Sequence, residues 1–150
     1  MAYCTVEDVV HELHPTLEHE MRKQYDEEHQ DDPWRPDFEE NIAMHIEKAD
    51  ACAEASLARA YKVPLKKATG IVTSAVCKIA AYFASAAFGE KEQILIDKYE
   101  TAMQMLDWLV EADDASLVDE DAEEEETGIY NGVGWGSEPQ IFTRSELAKW

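Results

Sequence analysis

Positive charge is what this chain most lacks: 13 Lys+Arg stand against 33 Asp+Glu, a formal net charge of −20 at pH 7. Binding nucleic acid through its phosphates needs a basic footprint, and so does binding an anionic membrane surface, so neither is expected. A surplus of carboxylates leaves a basic protein partner, a surface that must repel DNA, or plain solubility. Cysteine is scarce too, with Cys4, Cys52 and Cys77 at irregular spacing and no CxxC pair. The odd count, with no apolar signal segment at the N-terminus, predicts a reduced, cytosolic chain. Cys52 and Cys77 fall among apolar helical residues and read as small core residues. No apolar run approaches the roughly 20 residues that span a bilayer, so no membrane role is expected.

Catalytic signatures are also missing. There is no GxSxG, GxxxxGK[ST] or GxGxxG, and Gly132-Val133-Gly134-Trp135-Gly136 follows neither a strand nor a helix signal. The histidines read His11-Glu12-Leu13-His14, which is HExH and not the HExxH of zinc proteases, and Pro15 interrupts directly afterwards. Two histidines do not close a metal site, and the acidic run lacks the alternating ligands and central glycine of a calcium loop. The expectation is therefore a non-enzyme with solvent-exposed histidines, no cofactor and no bound metal.

What the chain does have is helical periodicity. At 150 residues, 45% of them hydrophobic, it is one domain by size, long enough to bury a core. Thr5 with Asp8 three residues later reads as a capping box, and Val6, Val9, Val10 and Leu13 then share one face. Pro15 closes this helix or opens the next, which runs to about Tyr25 with Leu17 and Met21 inward. Residues 26–36 turn acidic, lose periodicity and bracket Trp34 with Pro33 and Pro36. They read as a mobile loop whose Trp34 either anchors to the core or stands exposed for a partner. Asp37 is the N-cap of a long helix whose stripe is Ile42, Ile46, Ala49, Ala53, Leu57 and Ala60.

That helix meets an elbow, Leu57-Ala58-Arg59-Ala60-Tyr61-Lys62-Val63-Pro64-Leu65, because Pro64 cannot continue a helix and pushes Val63 towards an extended conformation. Leu57, Tyr61, Pro64 and Leu65 are the residues expected to fix the turn. Another long helix follows from Thr69 or Gly70, with Ile71, Val72, Ala75, Val76, Ile79, Ala80, Phe83 and Ala87 making an apolar face wider than half the cylinder. Only Lys78 is charged in its centre, so it reads as the buried middle of the domain, closed by Gly89. A fourth helical pattern covers 91–111, with Leu95, Tyr99, Ala102, Leu106 and Leu109 inward and Ile94, Met103, Met105 and Trp108 widening the face. Short connections at 62–69 and 89–90 predict antiparallel neighbours.

The fold expected is all-α: two short N-terminal helices and three longer antiparallel ones over 1–111, then an acidic, Gly-rich linker and docking tail over 112–150. The acidic run ends in Glu123, Glu124, Glu125 and Glu126, where like charges repel and oppose folding in isolation. These four glutamates are expected to line a DNA channel or a partner surface. Beyond them Tyr130, Trp135, Ile141, Phe142, Arg144, Leu147 and Trp150 supply apolar and aromatic groups without a core of their own, which suits docking on another protein.

The order of these features resembles the Mu-type head–tail connector family of tailed bacteriophages. Tyr3-Cys4-Thr5-Val6-Glu7-Asp8-Val9 is similar to the family's opening tyrosine and Thr-x-Glu-Asp-Val helix start. Leu57, Tyr61, Pro64 and Leu65 match its Leu-x-x-Arg-Tyr-x-x-Pro-Leu elbow, with Arg59 one residue earlier than the usual arginine. Tyr99, Ala102 and Leu106 fit its Tyr-x-x-Ala-x-x-x-Leu step, and Phe142, Arg144 and Leu147 its Phe-x-Arg-x-x-Leu ending. The resemblance implies an adaptor subunit of the virion neck, assembled in the bacterial host cytoplasm. It would form a ring of about twelve copies between the portal protein and neighbouring tail or neck proteins, through which DNA passes without specific binding. The net charge alone leaves a different class open, an acidic decoy that mimics DNA and binds a basic host protein.

Overall fold

The computed structural model describes residues 2–90 and 92–122. Among them five α-helices follow in order, α1 (Val6–Val10), α2 (Pro15–Asp31), α3 (Phe38–Leu57), α4 (Gly70–Phe88) and α5 (Gln93–Ala112), and a 3-10 turn at Ala115–Leu117 completes the set, with no strands. The architecture is all-α, as the periodicity predicts.

Local chemistry sets most of the helix ends. The Thr5 hydroxyl accepts from the Asp8 N–H at 3.2 Å while the Asp8 carboxylate accepts from the Thr5 N–H at 2.9 Å, which satisfies two orphan donors at the start of α1. Pro15 takes the first position of α2, where its missing N–H costs nothing, and the His14 ring nitrogen accepts from the Thr16 N–H. Asp37 caps α3 through the Glu40 N–H at 2.9 Å. Gly89 ends α4 at φ 96°, a left-handed conformation that costs glycine nothing.

Two expectations about the N-terminal half need correcting. The second helix is not short, and residues 26–36 are not one loop: α2 continues through Asp31, so only a brief turn separates it from α3. The segment 26–31 has no apolar periodicity, but polar contacts of its own and aromatic contacts of the residues just before it tie it down. Asp26 accepts from the Phe38 N–H at 3.1 Å, the Tyr25 ring meets Phe88 edge-on at 5.6 Å, and the Arg22 guanidinium sits 4.2 Å from the Phe38 ring centroid. Arg35 returns to Glu28 at 3.3 Å, and the His29 ring N–H donates to the Arg35 carbonyl.

Helix α4 lies between α3 and α5, and α1 packs across α3 and α4. Nineteen residues with a mean hydropathy of 1.6 make α4 long and apolar enough, by length and composition alone, to cross a membrane, which corrects the reading that no run comes near that limit. Its fully buried residues, Val72, Ala75, Val76, Ile79, Ala80, Ala81 and Ala84, give it the placement of a core helix. The alanines let its neighbours approach closely, while Phe38, Ile42, Leu57, Leu95, Leu106 and Leu109 fill the remaining space. The inward set on α5 is narrower than its sequence implies. Tyr99 is half-buried in a stack with Tyr82 at 4.6 Å, and Ile94 and Trp108 are 61% and 54% exposed. Lys98 links α5 to the end of the N-terminal segment, reaching the Glu12 carboxylate at 3.0 Å and its carbonyl at 3.1 Å.

Candidate assembly surface

The elbow is the best-organised part of the surface, and its parts come from four separate stretches of chain. Leu57 is fully buried and Leu65 nearly so, while Tyr61 is half-buried and Pro64 is exposed at the bend. The Tyr61 hydroxyl donates to the Leu109 carbonyl oxygen and accepts from the Asp114 N–H at 3.0 Å, which ties the end of α3 to the end of α5. Arg59 lies beside it, bonded to Asp107 at 2.7 Å. Although one residue earlier than the resembled pattern, this arginine still makes an inter-helix pair. Both partners are largely exposed, so the pair contributes well under about 1 kcal/mol. Residues 58–61 with Val110, Glu111 and Asp113 bound an open cleft of about 590 Å³.

From below, the elbow is held by Tyr3. Its hydroxyl donates to Glu54 at 2.5 Å and accepts from the Leu65 N–H at 2.8 Å, its N–H donates to Asp50 at 3.3 Å, and its carbonyl accepts from the Thr73 hydroxyl at 3.0 Å. Burial first, and then the bond to Glu54, push the Tyr3 hydroxyl up to about 12, so it stays a donor throughout the neutral range.

From above, the elbow is held by the segment after α5. Residues 113–122 are not a free acidic linker, so the folded unit runs beyond the expected boundary at 111. Asp119 and Ala68 form an isolated antiparallel bridge, the Thr69 N–H donates to the Val118 carbonyl at 3.1 Å, and the Glu120 N–H donates to the Lys67 carbonyl at 2.8 Å. Val118 is buried in the core. The Asp119 carboxylate accepts from the backbone N–H groups of Lys66, Lys67 and Asp121 at 2.7, 2.8 and 3.0 Å. Burial alone would raise this carboxyl, but the three N–H bonds together hold it below its usual range. The Asp119 charge, which in sequence belongs to a repelling run, is here stabilised by backbone donors.

The other sequence-marked residues separate cleanly. Trp34 is 95% exposed on the α2–α3 turn, which selects the exposed one of its two readings. His11 and His14 are exposed. Among the described residues no group of three or more His, Cys, Asp or Glu is placed to hold a metal ion. Glu123, Glu124, Glu125 and Glu126, and the docking set Tyr130, Trp135, Ile141, Phe142, Arg144, Leu147 and Trp150, lie outside the described residues.

One residue had no sequence signal. His45 on α3 is only 6% exposed, and its Nδ1 atom has no hydrogen-bond partner among the described residues. Burial, and secondarily Lys48, hold the ring below its usual range, so it is neutral in the folded chain. Below about pH 6.5 the unfolded chain takes up a proton that the buried ring refuses, which lowers stability. Wild type is therefore expected to lose stability relative to His45→Leu between pH 7 and pH 5, and urea midpoints across that range measure it. Parallel curves would remove this role.

Comparison with curated proteins gives no match. Against protein families, residues 3–132 match the family described as Bacteriophage Mu, Gp36, a span that takes in Tyr3, the elbow, α5 and the strap that covers the elbow. The chain belongs to the bacteriophage Mu Gp36 family.

Proposed function

We propose that this phage protein is a head–tail connector subunit, a structural adaptor that assembles as a ring between the portal and the tail. The observation that carries the reading is the family match over residues 3–132, which supports a phage structural or assembly role. The mechanism is geometric and electrostatic. A rigid three-helix core, its elbow fixed on both sides, presents lateral faces for neighbouring copies, and the residues beyond 122 dock on the portal or on an adjacent connector. Cyclic, head-to-tail contacts close such copies into a ring. Carboxylates facing the lumen let DNA slide, because a negative wall offers no counterion release to a passing phosphate backbone. No catalytic chemistry and no cofactor are needed for this task.

Trp34 supports an interface on the α2–α3 turn, since a tryptophan held outside the core between two prolines is a ready anchor for a partner pocket. Trp34→Ala is expected to leave the thermal midpoint within about 2 °C of wild type, since so exposed a ring adds little to the fold. The same variant should weaken assembly about tenfold or more, as loss of a buried interface aromatic does. Sedimentation of the oligomer with and without the substitution decides it. Equal assembly would place the interface elsewhere.

The acidic-decoy reading gains one point from the fold. Glu123, Glu124, Glu125, Glu126, Glu138 and Glu146 are the only acidic residues beyond 122, so most of the negative charge sits on the folded helices and their connections. A minority of it is ion-paired among the described residues: Glu18 pairs with Arg22, Glu28 and Asp32 with Arg35, Asp107 with Arg59, Glu120 with Lys67, and Glu12 with Lys98. Light scattering of the protein alone and mixed with portal separates the two classes. A joint portal complex supports the connector. Salt-sensitive capture of a basic host protein with no portal complex supports the decoy.

A further inference from the structure

Two thiols left idle by the connector reading are brought together by the fold. Cys4 and Cys77 are 6% and 5% exposed, in the same core, although they are far apart in sequence. The Thr73 hydroxyl donates to the Tyr3 carbonyl at 3.0 Å, Cys4 is the next residue after Tyr3, and Cys77 lies one turn beyond Thr73 on the same face of α4. The two side chains adjoin in this core, and neither is in a disulfide. Cys52, on α3, is half-buried and stands apart from this contact.

We propose that Cys4 and Cys77 form a disulfide when the protein meets a low-molecular-weight disulfide outside a reducing compartment, strapping the N-terminal segment to α4. The order of events follows from the contact. The adjoining Cys4 favours the thiolate at Cys77, while the same contact and burial keep Cys4 protonated. Local opening of the segment ahead of α1, against the Tyr3 bonds to Asp50, Glu54 and Thr73, admits a small reagent. The Cys77 sulfur attacks one sulfur of the reagent, the reagent's S–S bond breaks, and one reagent thiolate leaves. Cys4 then gives its proton to solvent, its sulfur attacks Cys77 in the mixed disulfide, and the second reagent thiolate departs. Two protein thiols are oxidised and one small disulfide is reduced to two thiols. The site does not depend on the connector reading, and it adds a covalent lock to the Tyr3 network under the elbow.

The test uses the full, reduced chain incubated with oxidised glutathione, then quenched and examined by intact mass and peptide mapping. The expected product has lost two hydrogens and carries a Cys4–Cys77 cross-linked peptide, in wild type and in Cys52→Ser alike. Its thermal midpoint rises by about 5 °C and returns on reduction. Cys4→Ser stops at a single glutathione adduct on Cys77. Lasting glutathione adducts on both Cys4 and Cys77, a disulfide that includes Cys52, or unreacted Cys4 and Cys77 under conditions that oxidise an exposed dithiol would each overturn the proposal.

Discussion

Leu57→Ala is expected to lower stability by about 3 kcal/mol and the thermal midpoint by about 10 °C. Leu57 is the last residue of α3 and fully buried in an alanine-rich core, so truncation leaves a cavity. A loss of this size is a large share of the 5–15 kcal/mol that holds a domain folded. The site matters for assembly as well as for folding. Leu57 fixes the end of α3, from which Arg59 and Tyr61 reach α5, so the variant should assemble poorly even at temperatures where it remains folded. Calorimetry measures the first effect and sedimentation of the assembled species the second. A midpoint within about 2 °C of wild type would mean that the elbow is not anchored from α3.

Asp119→Ala should cost about 2 kcal/mol at neutral pH and free the strap over residues 113–122. The substitution removes one acceptor from three backbone N–H groups at once, two of them directly after the elbow. Because the folded carboxyl is held below its usual range, its contribution is fully present above the unfolded value of 3.8 and fades as pH falls from there through the folded value. The gap between wild type and variant should therefore be wide at pH 7 and close below about pH 4. Limited proteolysis gives a second readout, with new cleavage within 113–122 expected in the variant. A gap independent of pH would show that Asp119 acts through packing and not through its charge.

Much of the architecture was legible because it rests on local chemistry. Thr5 with Asp8, Asp37 and Gly89 are caps whose partners lie within a few residues, and the apolar face of α4 declares a core helix. The C-terminal half of α2 was not legible, since 26–31 has no apolar period and is held by Phe38 and Arg35 across a turn. Its Glu and Gln content, favourable to helix, was the one available signal. The elbow was marked by Pro64, yet the groups that hold it were not. Tyr3 reaches Glu54 and Leu65, and Asp119 reaches Lys66 and Lys67, across separations of about 50 residues or more that no periodicity encodes. Exposure was equally hidden: Ile94 and Trp108 sit in an apolar pattern on α5 but face outward, while the polar His45, between Met44 and Ile46, faces inward.

The connector role is tested most directly by electron microscopy of the phage particle with this chain labelled. The expected image is a ring of label between portal and tail, around a central hole wide enough for duplex DNA. Particles complete with neck and tail but carrying no label there would contradict it.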